Sequence, residues 1–238
     1  MQFEDAETGD KYSLQFSNES VRAGFIQKVF SLVTFMFLFV AGLCVIPMVS
    51  DSFLHWVQQN QWIYIISIVV FISLSIALSC FDNIRRTFPL NLILLAFFTV
   101  SAGIMTMFIT AQYQVQSILI TLMITTICSG SIIIFSIKTK HDLTSKMGVI
   151  FILSTVVFSF GIFAMIFTLI FKWHFIYSIY SGIAALLMMF YLAIDIQMLM
   201  GGHQYELSPE DYIFAAMQIF LDILNIFLLL LNLFGKSK

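Results

Sequence analysis

Polar residues punctuate this chain at wide intervals, and the apolar runs between them are long. The runs fall at about 29–49, 62–81, 89–111, 115–137, 148–171, 175–200 and 212–234. Crossing the hydrocarbon of a bilayer takes about 20 residues of helix, so each run predicts one transmembrane helix. The links are short, which predicts antiparallel neighbours packed into one bundle. The predicted architecture is all-α: a polytopic membrane bundle of seven helices over 29–234. A cytosolic tail at 1–28 precedes it and a short tail at 235–238 follows, with no soluble module. Pro89 opens the third run, where a missing N–H is harmless. Before the last run, LSPEDY reads as a helix start. Ser208 suits the N-cap, Pro209 the first turn and Asp211 the return contact of a capping box.

Composition agrees with the pattern. The chain is 60% hydrophobic and 10% charged, whereas a soluble domain carries about 25% charged residues. A net charge of −2 leaves no polybasic surface for nucleic acid. Cys44, Cys80 and Cys128 are odd in number and scattered, which argues against a disulfide framework or a zinc site. They read as small buried hydrophobes, although Cys80 beside a basic link leaves reversible acylation open. The first 24 residues are acid-rich and lack the basic start and apolar core of a signal peptide. Insertion is therefore expected to use an uncleaved helix.

Lys and Arg set the expected orientation, because cytosolic links carry an excess of both. Lys11, Arg22 and Lys28, then Arg85 and Arg86, then Lys138, Lys140 and Lys146 fall on one side. That side, with the N-terminus, is expected to be cytosolic. The sequon at Asn18 is then expected to stay unmodified, because the tail never enters a lumen. Trp56, Trp62 and Trp173 fall in or beside links on the poor side, as an interfacial aromatic belt does. Lys236 and Lys238 leave the C-terminus open: charge favours a re-entrant last segment, and length favours a full crossing.

Against this background two acids stand out. Asp195 and Asp222 lie inside the last two apolar runs. A carboxylate at the centre of a membrane helix costs roughly 2.5–3.5 kcal/mol on insertion scales, so such a residue is a functional-site hypothesis by default. Gln218, Asp222, Asn225 and Asn232 recur at spacings of 4, 3 and 7. They form one polar stripe that lipid cannot satisfy and that should face the bundle interior. On the preceding run Ser181, Ala184, Met188, Tyr191 and Asp195 share a face. The turn between the runs permits the two carboxyls to reach similar depth. If they meet, two like charges in low dielectric cannot both ionise easily, and the pair shares a proton. The pair could bridge two helices when half-protonated, and repel or bind a cation when ionised. Calcium takes carboxylate and amide oxygens, so Asp195 and Asp222 with Gln218 or Asn225 could form a weak, transient site along a path. Arg85 and Arg86 anchor topology, or one turns inward to pair with an acid of the pair. The residues themselves read as a proton-gated cation leak.

The segment LAIDIQMLMGGHQYELSPEDYIFAAMQIFLDILNIFLLLLNLFG, with VRAGFIQKVFSLVT, IRRTFPLNLILL and FSIKTKHDLTS, resembles the transmembrane Bax-inhibitor-motif family, Lifeguard branch. The short tail is similar to that of Golgi-type members and their viral relatives. The resemblance implies a bundle with the last helix central, a calcium leak from intracellular stores and suppression of cell death. It also implies a di-aspartyl pH sensor at Asp195 and Asp222, with a second-helix arginine engaging it. No cofactor is expected; calcium is the permeant ion and protons act on the gate, in the bilayer of the Golgi or endoplasmic reticulum, or alternatively the plasma membrane. A non-conducting scaffold that binds death-pathway or receptor proteins is the competing reading, with 1–28 and 136–146 as its working surfaces. An intramembrane aspartyl protease is disfavoured, since those enzymes resemble one another in a Gly-x-Gly-Asp motif and the contexts here are AIDIQ and FLDIL. An enzyme is not expected.

Overall fold

Apart from the first, which starts earlier, the long helices begin and end close to the ends of the apolar runs, because in lipid a backbone group has no partner outside its own helix. A computed structural model describes residues 2–238, with side chains described for 20–173 and 175–238. The side chains of Lys11, of the sequon at Asn18 and of His174 lie outside those described. The described helices are α1 (Gln2–Val49), α2 (Asp51–Gln59), α3 (Gln61–Cys80), α4 (Asp82–Arg86) and α5 (Leu90–Thr110). They continue with α6 (Val115–Lys138), α7 (Met147–Phe171), α8 (His174–Met200) and α9 (Tyr212–Phe234). Among the described residues seven helices are long and apolar enough to cross a membrane; α2 and α4 are short connectors. The protein is an all-α membrane bundle. Its first candidate span begins at Ser20, upstream of the expected start at 29, so Arg22 and Lys28 belong to a helix face.

Local chemistry sets the stops. The Ser50 side chain caps α2 by accepting from the Phe53 N–H at 3.3 Å. Gly201 and Gly202 end α8 at φ values of 74° and 77°, a region glycine enters without a Cβ penalty. Ser208 accepts from the Glu210 N–H at 3.4 Å, as the sequence predicts. Asp211 makes no return contact; its carboxylate is taken by two arginines.

The last helix is central. It packs against α1, α3, α5, α6 and α8. Most of its apolar stretch is buried, whereas little of Gln61–Cys80 or of Thr144–Phe171 is. Phe220 holds one side of this centre, with ring centroids 4.8 Å from Phe37 and 6.0 Å from Phe98. Tilted and edge-on aromatic pairs of this kind add about 0.5–1.5 kcal/mol beyond burial.

The tail beyond α9 decides the crossing. The Gln114 N–H donates to the Lys236 carbonyl at 2.9 Å, and the Lys238 N–H donates to the Gln112 carbonyl at 2.9 Å. Residues 235–238 therefore lie against the α5–α6 link, and α9 traverses the whole bundle. Its start meets Arg85 and Arg86. Lys236 and Lys238 thus sit at the end opposite the arginines, as the length of the run favours and the charge count does not.

Candidate functional site

The site lies where α8 and α9 run antiparallel. Ala184 and Ala185 are buried on α8 and let the backbones approach. At one end Ser181 Oγ donates to Asn232 Oδ1 at 2.8 Å. Farther along the same interface the carboxyls of Asp195 and Asp222 lie within hydrogen-bonding range of each other. They are 8% and 7% exposed, and Oδ2 of each is buried without a hydrogen-bond partner. Two carboxyl groups hydrogen-bond to each other only with a proton between them. Asp195 sits near the end of α8, whereas Asp222 sits midway along α9. Their meeting carries the first turns of α9 beyond α8, where Tyr212 receives a hydrogen bond from Asn91 Nδ2 at 3.0 Å and lies 3.2 Å beneath Lys28 Nζ.

A cavity of about 650 Å³ opens beside the pair. Gln218, Asp222, Asn225 and Asn232 line it from α9, so the predicted stripe faces one space. Ser181, Ala184, Met188 and Tyr191 of the predicted α8 face line it too. Ser154 of α7 and Tyr191 share a hydrogen bond of 2.6 Å across it. Asp222 is the sole charged group among its described lining residues; Asp195 lies behind. Among the described residues no three His, Cys, Asp or Glu side chains converge. A calcium ion at the pair would meet two carboxylates and the amide oxygens of Gln218 or Asn225, fewer than the six to eight oxygens of a tight site. That donor set suits passage, not storage.

Arg85 and Arg86 do not reach the pair. Arg86 grips Asp211 with two parallel bonds, Nε to Oδ1 at 2.9 Å and Nη2 to Oδ2 at 3.0 Å. Arg85 Nε adds a third at 3.1 Å. The two guanidinia pin α4 to the head of α9. Glu210 lies 3.4 Å from Arg86, and Asp82 lies 3.0 Å from Arg85.

Other residues at this end escaped the reading from sequence. Arg22 donates through Nε to the Met200 carbonyl at 3.1 Å, through Nη1 to Leu207 at 2.8 Å and through Nη2 to Met198 at 3.0 Å. One side chain thus satisfies the end of α8. Gln197, fully buried, accepts from the Leu143 N–H at 2.8 Å and donates to the His141 carbonyl at 2.8 Å. It ties the α6–α7 link to the helix carrying Asp195. A lone glutamine two residues from Asp195 was the available signal.

Asp142 joins two links by accepting from Thr144 and from the Gln204 N–H, the latter at 3.0 Å. Its pKa is held below the usual carboxylate value by the Thr144 hydroxyl first, then by the Gln204 amide. A depressed folded pKa means support that is present above the ordinary carboxylate range and lost as pH falls through that lowered value. Backbone amides of residues 204–205 are therefore expected to exchange faster below about pH 4, the ordinary Asp range. Asp142→Asn is expected to raise exchange at neutral pH and flatten the acid limb, read by hydrogen–deuterium exchange. His203 Nδ1 lies 3.7 Å from Asp142.

Comparison with known proteins now joins the geometry. The family model for inhibitor of apoptosis-promoting Bax1 matches residues 22–238. The chain is 34% identical to Protein lifeguard 3 of Homo sapiens over 225 residues, covering 94% of this chain and 72% of that one. It is 26% identical over 234 residues to the Golgi anti-apoptotic protein of Vaccinia virus (strain Lister), covering 95% and 91%. The match runs through all seven described spans, beginning within the first. The chain belongs to the Bax1-inhibitor family, in its Lifeguard branch.

Proposed function

We propose that this protein suppresses apoptosis from an intracellular membrane, the Golgi foremost, as a proton-sensitive calcium leak whose gate is the Asp195–Asp222 pair. The observation that carries this reading is the pair itself. Two buried acids meet beside the cavity, Asp222 in its lining, and each has an unpartnered oxygen. With one proton between them, the carboxyls bridge α8 and α9. Without it they repel, by about 4 kcal/mol for unit charges 4 Å apart at an effective dielectric of 20. That exceeds the roughly 1 kcal/mol a hydrogen bond contributes, so deprotonation pushes the helices apart. A divalent cation offsets the same repulsion, which gives calcium a reason to enter. Membership of a family described by apoptosis inhibition, and a viral relative named for it, support the cellular role.

The test is calcium flux into liposomes holding the purified protein alone. Flux in the unaltered protein is expected to change with bath pH. Asp222→Asn and Asp195→Asn are each expected to remove that dependence, since an amide cannot share the proton. A wild-type pH profile in both variants would falsify the gate. A double variant that protects cells without conducting would favour the scaffold reading instead.

A further inference from the structure

The cavity has a second end. From Asp222 to Asn232 the polar face of α9 runs about 15 Å at 1.5 Å per residue, toward the C-terminal end of the bundle. There Asn232 accepts from Ser181 Oγ at 2.8 Å, and the Tyr113 hydroxyl lies beside Asn232. These three residues come from the α5–α6 link, α8 and α9, and all line the cavity.

Tyr113 is held from behind. Its backbone forms an antiparallel bridge with Ser237. The flanking bonds Gln114 N–H to Lys236 and Lys238 N–H to Gln112 run on either side of that bridge. The Lys236 N–H also donates to Ser117 Oγ at 3.1 Å. Gly235 leaves room for the ring: a Cβ there would stand 2.6 Å from Tyr113 Cδ1. Four tail residues thus fasten a tyrosine across the end of a cavity.

We propose that Tyr113, Ser181 and Asn232 form the outer constriction of the path to Asp222, with the tail strand as the strut that keeps Tyr113 in place. This rests on the reading of the cavity as the conduction path. The constriction offers neutral oxygens, and Asp222 is the one charge beyond it among the described lining residues. A small cation therefore exchanges water for hydroxyl and amide oxygens and meets an anion next, whereas an anion meets repulsion. Lys236 and Lys238 are exposed on the tail and are absent from the lining.

The test needs no calcium flux. Asn225 lies between the pair and the constriction and is exposed to the cavity. Asn225→Cys is placed in a background with Cys44, Cys80 and Cys128 replaced by Ala, in lipid nanodiscs. A cationic methanethiosulfonate is added, and the rate of thiol modification is read. Tyr113→Ala is expected to raise the rate about tenfold, the shift of an opening equilibrium that loses roughly one polar contact. Asn232→Ala, which removes the shared partner from the α9 side, is expected to do the same and stands in if Tyr113→Ala does not fold. An anionic reagent of the same size is expected to react more slowly than the cationic one in every folded variant. Unchanged rates in folded Tyr113→Ala or Asn232→Ala protein overturn the constriction. Equal rates for the two reagents overturn its preference for cations. A flat calcium flux with constriction-dependent labelling would count against the leak alone; intact pH-dependent flux with indifferent labelling would count against the constriction alone.

Discussion

Asp211→Ala is expected to destabilise the folded protein by about 3 kcal/mol, the low end of what removing one partner of a buried ion pair costs. The carboxylate is 8% exposed and accepts from two guanidinia, one of them only 14% exposed. Alanine leaves two cations against each other with less than one anion's compensation nearby. Glu210 and Asp82 are 72% and 66% exposed, and surface pairs of that kind contribute about 0–1 kcal/mol. They cannot replace Asp211. Thermal unfolding in detergent reads the loss. Arg86→Ala in the same chain is expected to restore part of it, because residues in one network do not add. A double-variant loss equal to the sum of the two single losses would show that the contact is not energetically coupled. The latch also sets where α9 begins, so a change here is expected to reach Asp222 along the rigid helix.

Gly201→Ala is expected to cost a similar amount, about 3 kcal/mol, by a different route. The position has φ 74° and ψ −179°, a backbone region almost confined to glycine, where another residue costs roughly 1–3 kcal/mol. The new Cβ would also collide with the Arg22 guanidinium; the distance to Nε alone is 2.9 Å, and Nη2 and Cζ are closer. Arg22 must then leave three carbonyls, Met198 and Met200 at the end of α8 and Leu207 in the following link, where charged hydrogen bonds contribute about 1.5–3 kcal/mol each. Arg22→Met removes the same bonds without the backbone strain. The double variant Gly201→Ala with Arg22→Met is therefore expected to be less destabilised than the sum of the two. Additive losses would separate the glycine from the arginine. Both sites lie at the basic end of the bundle, which is built from links and held by polar contacts. It is the place where small chemical changes have large effects, because the apolar cylinders elsewhere tolerate exchange among hydrophobes.

The pattern along the chain was sufficient for the fold class. An apolar run of spanning length has one stable form in a bilayer, and each of the seven expected runs lies in a helix. Asp195 and Asp222 were legible as candidates for an equally local reason, since the cost of an acid in hydrocarbon needs no neighbour to be stated. The polar stripe of α9 was legible because helical spacing places its members on one face.

What the tertiary structure alone decided is pairing. Arg85 and Arg86 carry their charge openly in the sequence, and so does Asp211. Nothing in their spacing says that they meet, because the partners are 125 and 126 residues apart. An arginine before the first run gave no sign that it would cap α8 from across the bundle. The direction of the last crossing rested on two opposing signals, charge and length. It was resolved by backbone hydrogen bonds between the tail and the α5–α6 link, which side-chain patterns do not encode. Burial of a residue is a property of its own helix face and can be read along the chain. The identity of its partner depends on which faces the bundle brings together, and that is known only once the helices are packed.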